Sequence, residues 1–117
     1  MVKALFDADV PILVGTDTPN PLLVPGFAIH EELECLFRTG LPIDAILRAA
    51  TCEAAAHLGW EKQGAIAPGQ VADLILLEGN PLESLACLRR PIGVFVAGEY
   101  FSRADLSAML ESLKRSD

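Results

Sequence analysis

The residues of this chain able to do chemistry are few and scattered. Asp17 stands in Gly15-Thr16-Asp17-Thr18-Pro19, directly after an apolar run, with a threonine on each side. Two histidines, His30 and His57, and three cysteines, Cys35, Cys52 and Cys87, complete the candidates. A carboxylate just past the end of a buried strand can ligate a metal ion or take and return a proton. Spacing alone equally allows an ordinary loop aspartate that caps a turn. Catalytic zinc needs about three protein ligands in close array, and these side chains show no such spacing. The chain alone is therefore expected neither to build a metal site nor to catalyse.

The elements that must position Asp17 can be read outward from it. Val10-Pro11-Ile12-Leu13-Val14-Gly15 is apolar without alternation, the pattern of a strand buried on both faces in a parallel sheet. Met1 to Ala8 reads as the tail of a helix, with Asp9 where the chain turns out. The loop 15–21, rich in turn residues, follows the strand. Ala28 to Arg38 is predicted helical, with Ile29, Leu33, Leu36 and Phe37 on one face and Glu34 paired to Arg38. Gly40 stops it, and Pro42 suits the first turn of a second helix faced by Ile43, Ile46, Leu47 and Ala50. Thr51 reads as the N-cap of a short third helix through Leu58, closed by Gly59.

The texture changes after Trp60. Gly64 to Ile66 and Ala72 to Leu77 read as short strands joined across Pro68-Gly69, and Gly79-Asn80-Pro81 breaks the chain. Gly93 to Ala97 and Glu99 to Phe101 read as two strands meeting near Gly98. Ser102 with Asp105 forms a capping box for a last helix faced by Leu106, Met109, Leu110 and Leu113. The first strand is out of place among these, because it wants parallel neighbours reached by crossovers of a dozen or more residues. Unpaired backbone groups in it would cost about 1–3 kcal/mol each. The expectation is that its neighbours lie outside this sequence.

Composition narrows the partners. With 117 residues the chain has the size of one domain, yet 51% are apolar and the mean hydropathy is +0.37. That is high for a small fold with much surface per volume, and it suggests faces that something else covers. A formal charge of −7, with dispersed basic residues, argues against nucleic acid and against an anionic membrane. No apolar run approaches the ~20 residues of a membrane span. No signal-peptide pattern opens the chain, and the odd, dispersed cysteines read as reduced thiols, so a cytoplasmic location is expected.

At this point three stretches resemble the amidohydrolase superfamily, in the branch of imidazolonepropionases and Xaa-Pro dipeptidase-like enzymes. "VPILVGTD" (10–17) resembles the eighth barrel strand with its terminal aspartate. "IHEELECLFRTGLPIDAILRAAT" (29–51) resembles the following helix, the Gly-Leu-Pro link and the next helix. "GAIAPGQVADLILL" (64–77) resembles the entry into the small β-sandwich domain. With Val94 to Phe101 these span nearly the whole chain. Asp9 stands where the family usually has glycine, and Thr51-Cys52-Glu53-Ala54 replaces the commoner Thr-x-Asn-Pro.

The resemblance implies an α/β fold: residues 1–60 as the last strand and helices of a (β/α)8 barrel, and residues 61–117 as part of a β-sandwich domain with a C-terminal helix. It implies hydrolysis of C–N bonds in small amides, cyclic amides or dipeptides, with a divalent metal, zinc above all. Asp17 would bind the metal, accept a proton from the activated water and return one to the leaving amine. Thr16 and Thr18 would orient that carboxylate, and His30, near a helix N-terminus, would touch substrate or stand as a surface residue. His57 and Asp73 are expected to be structural, Asp73 by holding the turn after Pro68-Gly69. The family's His-x-His, mid-barrel lysine and later histidines have no counterpart here and would lie before Met1. Three readings follow: the C-terminal segment of a metal-dependent amidohydrolase, one chain of a split hydrolase completed by the remainder of the barrel, or a non-catalytic α+β interaction module.

Overall fold

Helices gather around one small apolar centre, and a three-stranded antiparallel sheet lies beyond them. The computed structural model describes residues 1–18 and 20–114. Pro19 of the expected loop and residues 115–117 of the expected C-terminal unit lie outside the described residues. In chain order come α1 (Val2–Asp7), α2 (Ala28–Arg38), α3 (Ile43–Ala49), α4 (Cys52–His57), β1 (Leu74–Leu76), a 3₁₀ helix (Leu85–Arg89), β2 (Gly93–Val96), β3 (Glu99–Ser102) and α5 (Arg103–Lys114).

The helix boundaries follow local chemistry. Gly40, at φ 94°, ends α2 in a conformation that side chains resist, while Thr39 Oγ1 donates to the Leu36 carbonyl at 2.7 Å. Pro42 proves to be the residue just before α3, extended at ψ 146°, so the helix starts one position later than the sequence suggests. Thr51 does occupy the cap position of α4, but its hydroxyl does not cap. It donates back to Leu47 at 2.7 Å, because α3 and α4 almost abut and the free carbonyl at the end of α3 is the nearer partner. Asp9 takes φ 55°, a left-handed turn where the chain leaves α1.

Leu33, Leu41, Ile46 and Leu85 form the buried centre, with Ile12, Val14, Ile29, Leu36, Ile43 and Leu88 packed against it. Leu85 and Leu88 come from the 3₁₀ helix, an element the sequence reading missed. Its signal was Ser84, whose Oγ accepts the Ala86 amide at 3.3 Å and so caps the turn. Close packing at Gly64 joins α4 to the following loop. A Cβ there would stand 2.8 Å from both Ala55 Cβ and Cys52 Cα.

The sheet has the order β1-β2-β3, with Ile75 opposite Val94 and Val94 opposite Phe101. Phe95 and Tyr100 pair across β2 and β3 with ring centroids 5.0 Å apart. Gly93 is required beneath Tyr100, whose ring occupies the space a Cβ would need. Gly64 to Ile66 is a bend and not the expected strand, since Gly64 holds φ 88° and cannot continue a ladder. Asp73 is structural as expected but holds a different turn. Its Oδ1 accepts the Ala97 amide at 2.7 Å, at the β2–β3 hairpin, and Gly98 N donates to Ala72 O at 3.1 Å. Ser102 and Asp105 close the capping box at the start of α5, with Ser102 N donating to Asp105 Oδ2 at 2.9 Å and Asp105 N donating to Ser102 Oγ at 3.3 Å.

The apolar composition is not absorbed by this packing. The chain exposes 8473 Å², about a third more than the roughly 6200 Å² expected of a folded monomer of its mass. Its radius of gyration is 15.5 Å, against about 13.4 Å for a compact domain of this length. Val10, Leu58, Trp60, Met109, Leu110 and Leu113 are all exposed. The face of α5 that the sequence marked as apolar thus meets solvent apart from half-buried Leu106. Among the described residues, no helix is long and apolar enough to cross a membrane.

Candidate functional site

The apolar run before Asp17 is neither helix nor strand and joins no sheet among the described residues. Val14 N donates to Ala49 O at 3.3 Å and Val10 N to Leu5 O at 3.0 Å, and neither bond belongs to a strand ladder. Ile12 and Val14, two positions apart, both pack against the buried centre. On another side the run is open: Phe6, Val10, Ile12, Leu13, Leu41 and Ala56 border a hollow of about 620 Å³. His57, at the end of α4, lies on the rim of the same hollow and is exposed.

Gly15-Thr16-Asp17-Thr18 then leaves the helical body. Asp17 is exposed and has φ 53°, a left-handed backbone that costs a non-glycine residue about 1–2 kcal/mol, least for aspartate and asparagine. Strain of this kind gathers at functional sites. The Asp17 carboxylate makes no hydrogen bond with the described residues and is free to meet an outside group. Thr16 and Thr18 share one hydroxyl–hydroxyl hydrogen bond at 3.2 Å across Asp17, and neither bonds its carboxylate among the described residues.

The loop's attachment was not foreseen. Gly15 N donates to Glu32 Oε1 at 2.7 Å, across 17 positions, tying the chain two residues before Asp17 to α2. Glu32 lies three residues after Ile29 and four before Leu36, at the border of the apolar face of the helix, where a glutamate is ordinary and gives no sign of this bond. Its other oxygen, Oε2, is shut from solvent without a partner.

His30 sits half-buried in the first turn of α2, and its ring makes no hydrogen bond to the described residues. Partial burial pushes its pKa below 6.5, the positive Arg89 pushes the same way, and Glu34 opposes them. The ring is therefore neutral at neutral pH, fit to accept a hydrogen bond or a metal. No hydrogen bond joins His30 to Asp17 among the described residues. Nor, among those residues, do three groups from His, Cys, Asp and Glu gather around one point that could hold an ion. Cys35, Cys52 and Cys87 are free thiols.

Comparison with known proteins gives this geometry a context. The Amidohydrolase family model matches residues 1–100. An imidazolonepropionase from Deinococcus deserti is 39% identical over 85 residues, covering 72% of this chain and 21% of the relative. Among solved structures, the bottromycin amidohydrolase AH superposes with a TM-score of 0.81 at 35% identity, covering 92% of this chain and 24% of that one. A Xaa-Pro dipeptidase, solved with methionine in its active site, superposes with a TM-score of 0.60 at 32% identity, covering 63% and 18%. The chain spans about a fifth of the length of the curated relative it matches. The match over so much of its own length makes the chain a member of the amidohydrolase family.

Proposed function

We propose that this chain forms part of a metal-dependent hydrolase of C–N bonds, with Asp17 as its catalytic carboxylate. Residues 1–60 correspond in this reading to the last strand and helices of a (β/α)8 barrel, and 61–117 to part of a small β-sandwich domain. The observation that carries it is Asp17 itself: an exposed, unpaired carboxylate, held in left-handed backbone at the end of an apolar segment that joins no ladder among the described residues. That position is where barrel enzymes place catalytic groups. The open side of the segment, bordered by Val10 and Leu13, and the surplus exposed surface support its packing against the remainder of a barrel.

A divalent metal, with zinc favoured, fits this chain only in part, since Asp17 offers one donor and the others must come from outside the described residues. When bound, such an ion supplies Lewis-acid polarisation of the amide and of the attacking water. Asp17 takes the proton from that water and delivers one to the departing nitrogen, the two halves of general acid–base catalysis. Thr16 and Thr18 stiffen the backbone that carries it. In this reading His30, kept neutral by partial burial and Arg89, contacts the small amide or dipeptide substrate.

The test is Asp17→Asn in the active enzyme that contains this chain, assayed on cyclic amides and dipeptides with zinc or manganese. The expected result is a loss of kcat of about 10²–10⁴-fold with an unchanged melting temperature. Turnover at the original rate would remove Asp17 from the mechanism. Vigorous metal-dependent turnover by the 117-residue chain alone would show that no outside residues are needed.

A further inference from the structure

We infer that Glu32 is a positioning residue for Asp17, a reading that rests on the catalytic assignment above. Three observations meet at this side chain. The Gly15 amide donates to Glu32 Oε1 at 2.7 Å, a short bond to a charged acceptor. It ties the segment 15–18 to α2, an element otherwise remote from that loop in sequence. Glu32 stands at the border of the apolar face of α2, and its Oε2 is excluded from solvent and unpartnered. A carboxylate held there at the expense of desolvation has a specific acceptor task, and the bond to Gly15 is the task on view.

Geometry explains why this bond matters to Asp17. The last backbone bond from the apolar run to the helices is Val14 N to Ala49 O, at 3.3 Å. Beyond it, among the described residues, Thr16 and Thr18 bond each other and the Asp17 carboxylate bonds nothing. The orientation of the left-handed residue at 17 relative to the helical body is therefore carried by Glu32. Removing the acceptor frees a hinge at Gly15, the residue least able to hold a conformation by itself.

The experiment is backbone NMR on the ¹⁵N-labelled active enzyme that contains this chain. Glu32→Ala is expected to speed exchange of the Gly15 amide about tenfold or more. Order parameters at 16–18 should fall from near 0.85 to below about 0.6, while the amides of Leu33 and Ile46 hold their protection. Glu32→Gln keeps a carbonyl acceptor at the same reach, and it should restore Gly15 protection to within about threefold. If Glu32→Ala also loosens Leu33 and Ile46, Glu32→Asp replaces it. That variant keeps the charge but falls short of Gly15, and selective loss at Gly15 then supports the inference. Unchanged Gly15 exchange and loop order in the shortened variants overturn it, as does failure of glutamine to restore them. These readouts do not involve turnover. A loosened loop combined with full activity of Asp17→Asn would leave Glu32 as an anchor and refute the catalytic reading instead.

Discussion

Arg89 Nη2 lies 3.0 Å from Glu34 Oε1, and Arg89 Nε lies 3.4 Å from the same oxygen, across 55 positions of sequence. The other carboxylate oxygen of Glu34 faces Arg38 at 3.6 Å. These groups are partly exposed, so the network adds at most about 1 kcal/mol per pair. Its importance is local. It fastens the 3₁₀ helix to α2 and brings a second-half cation to bear on His30.

The first prediction concerns that cation. Because burial and Arg89 hold the His30 pKa below 6.5, the folded chain binds this proton less readily than the unfolded chain does. Stability from this group is full above pH 6.5 and declines as pH falls through the interval down to the folded value. Arg89→Ala should raise the His30 pKa, read from its ring carbon-bound proton shifts in an NMR titration, and narrow that interval. An unmoved or lowered titration midpoint would contradict the assignment.

At the start of α5, Asp105 adds a second loss of stability toward acid, at lower pH. Hydrogen bonds from the Ser102 side chain and then from the Ser102 backbone hold its pKa below 3.8. A depressed carboxylate contributes stability above its unfolded pKa and loses it as pH falls through the folded value. Thermal melts should therefore show an acid loss below pH 3.8. Ser102→Ala should lower Tm by a few degrees at neutral pH and make the remaining acid loss shallower. Parallel acid profiles for the variant and the original would exclude this capping box as the cause.

The β2–β3 hairpin offers a gain. Ala97 and Gly98 both have positive φ, 51° and 87°, as a type I′ turn demands, and Ala97 has a Cβ that this region disfavours. Asp73 compensates by accepting the Ala97 amide. Ala97→Gly removes the steric cost and keeps that bond, so it should stabilise the chain by about 0.5–1 kcal/mol. A shift of the urea midpoint to lower concentration would show that the alanine is unstrained.

Where the local code is strong, the sequence already contained the answer. The apolar spacing of Ile29, Leu33 and Leu36 and the stop at Gly40 place α2 at Ala28–Arg38, and the capping box at Ser102 and Asp105 opens α5 as expected. The residue class at Asp17 and the ordered motifs around it were likewise enough to place the chain in its family. These features depend on neighbours within four residues or on short strings, which a linear reading captures.

What the sequence could not decide depends on contacts between distant positions. That Gly64 bends the chain instead of entering a strand follows from Cys52 and Ala55 packed against it. The run Val10 to Gly15 has the composition of a buried strand, but a strand is made by partners, and the described residues offer it no ladder. Likewise Glu32 looks like any surface glutamate of an amphipathic helix until Gly15 arrives beside it. Residue type set which groups are able to bond. Only the folded chain, by bringing together positions 17, 24 and 55 apart, determined which of them do.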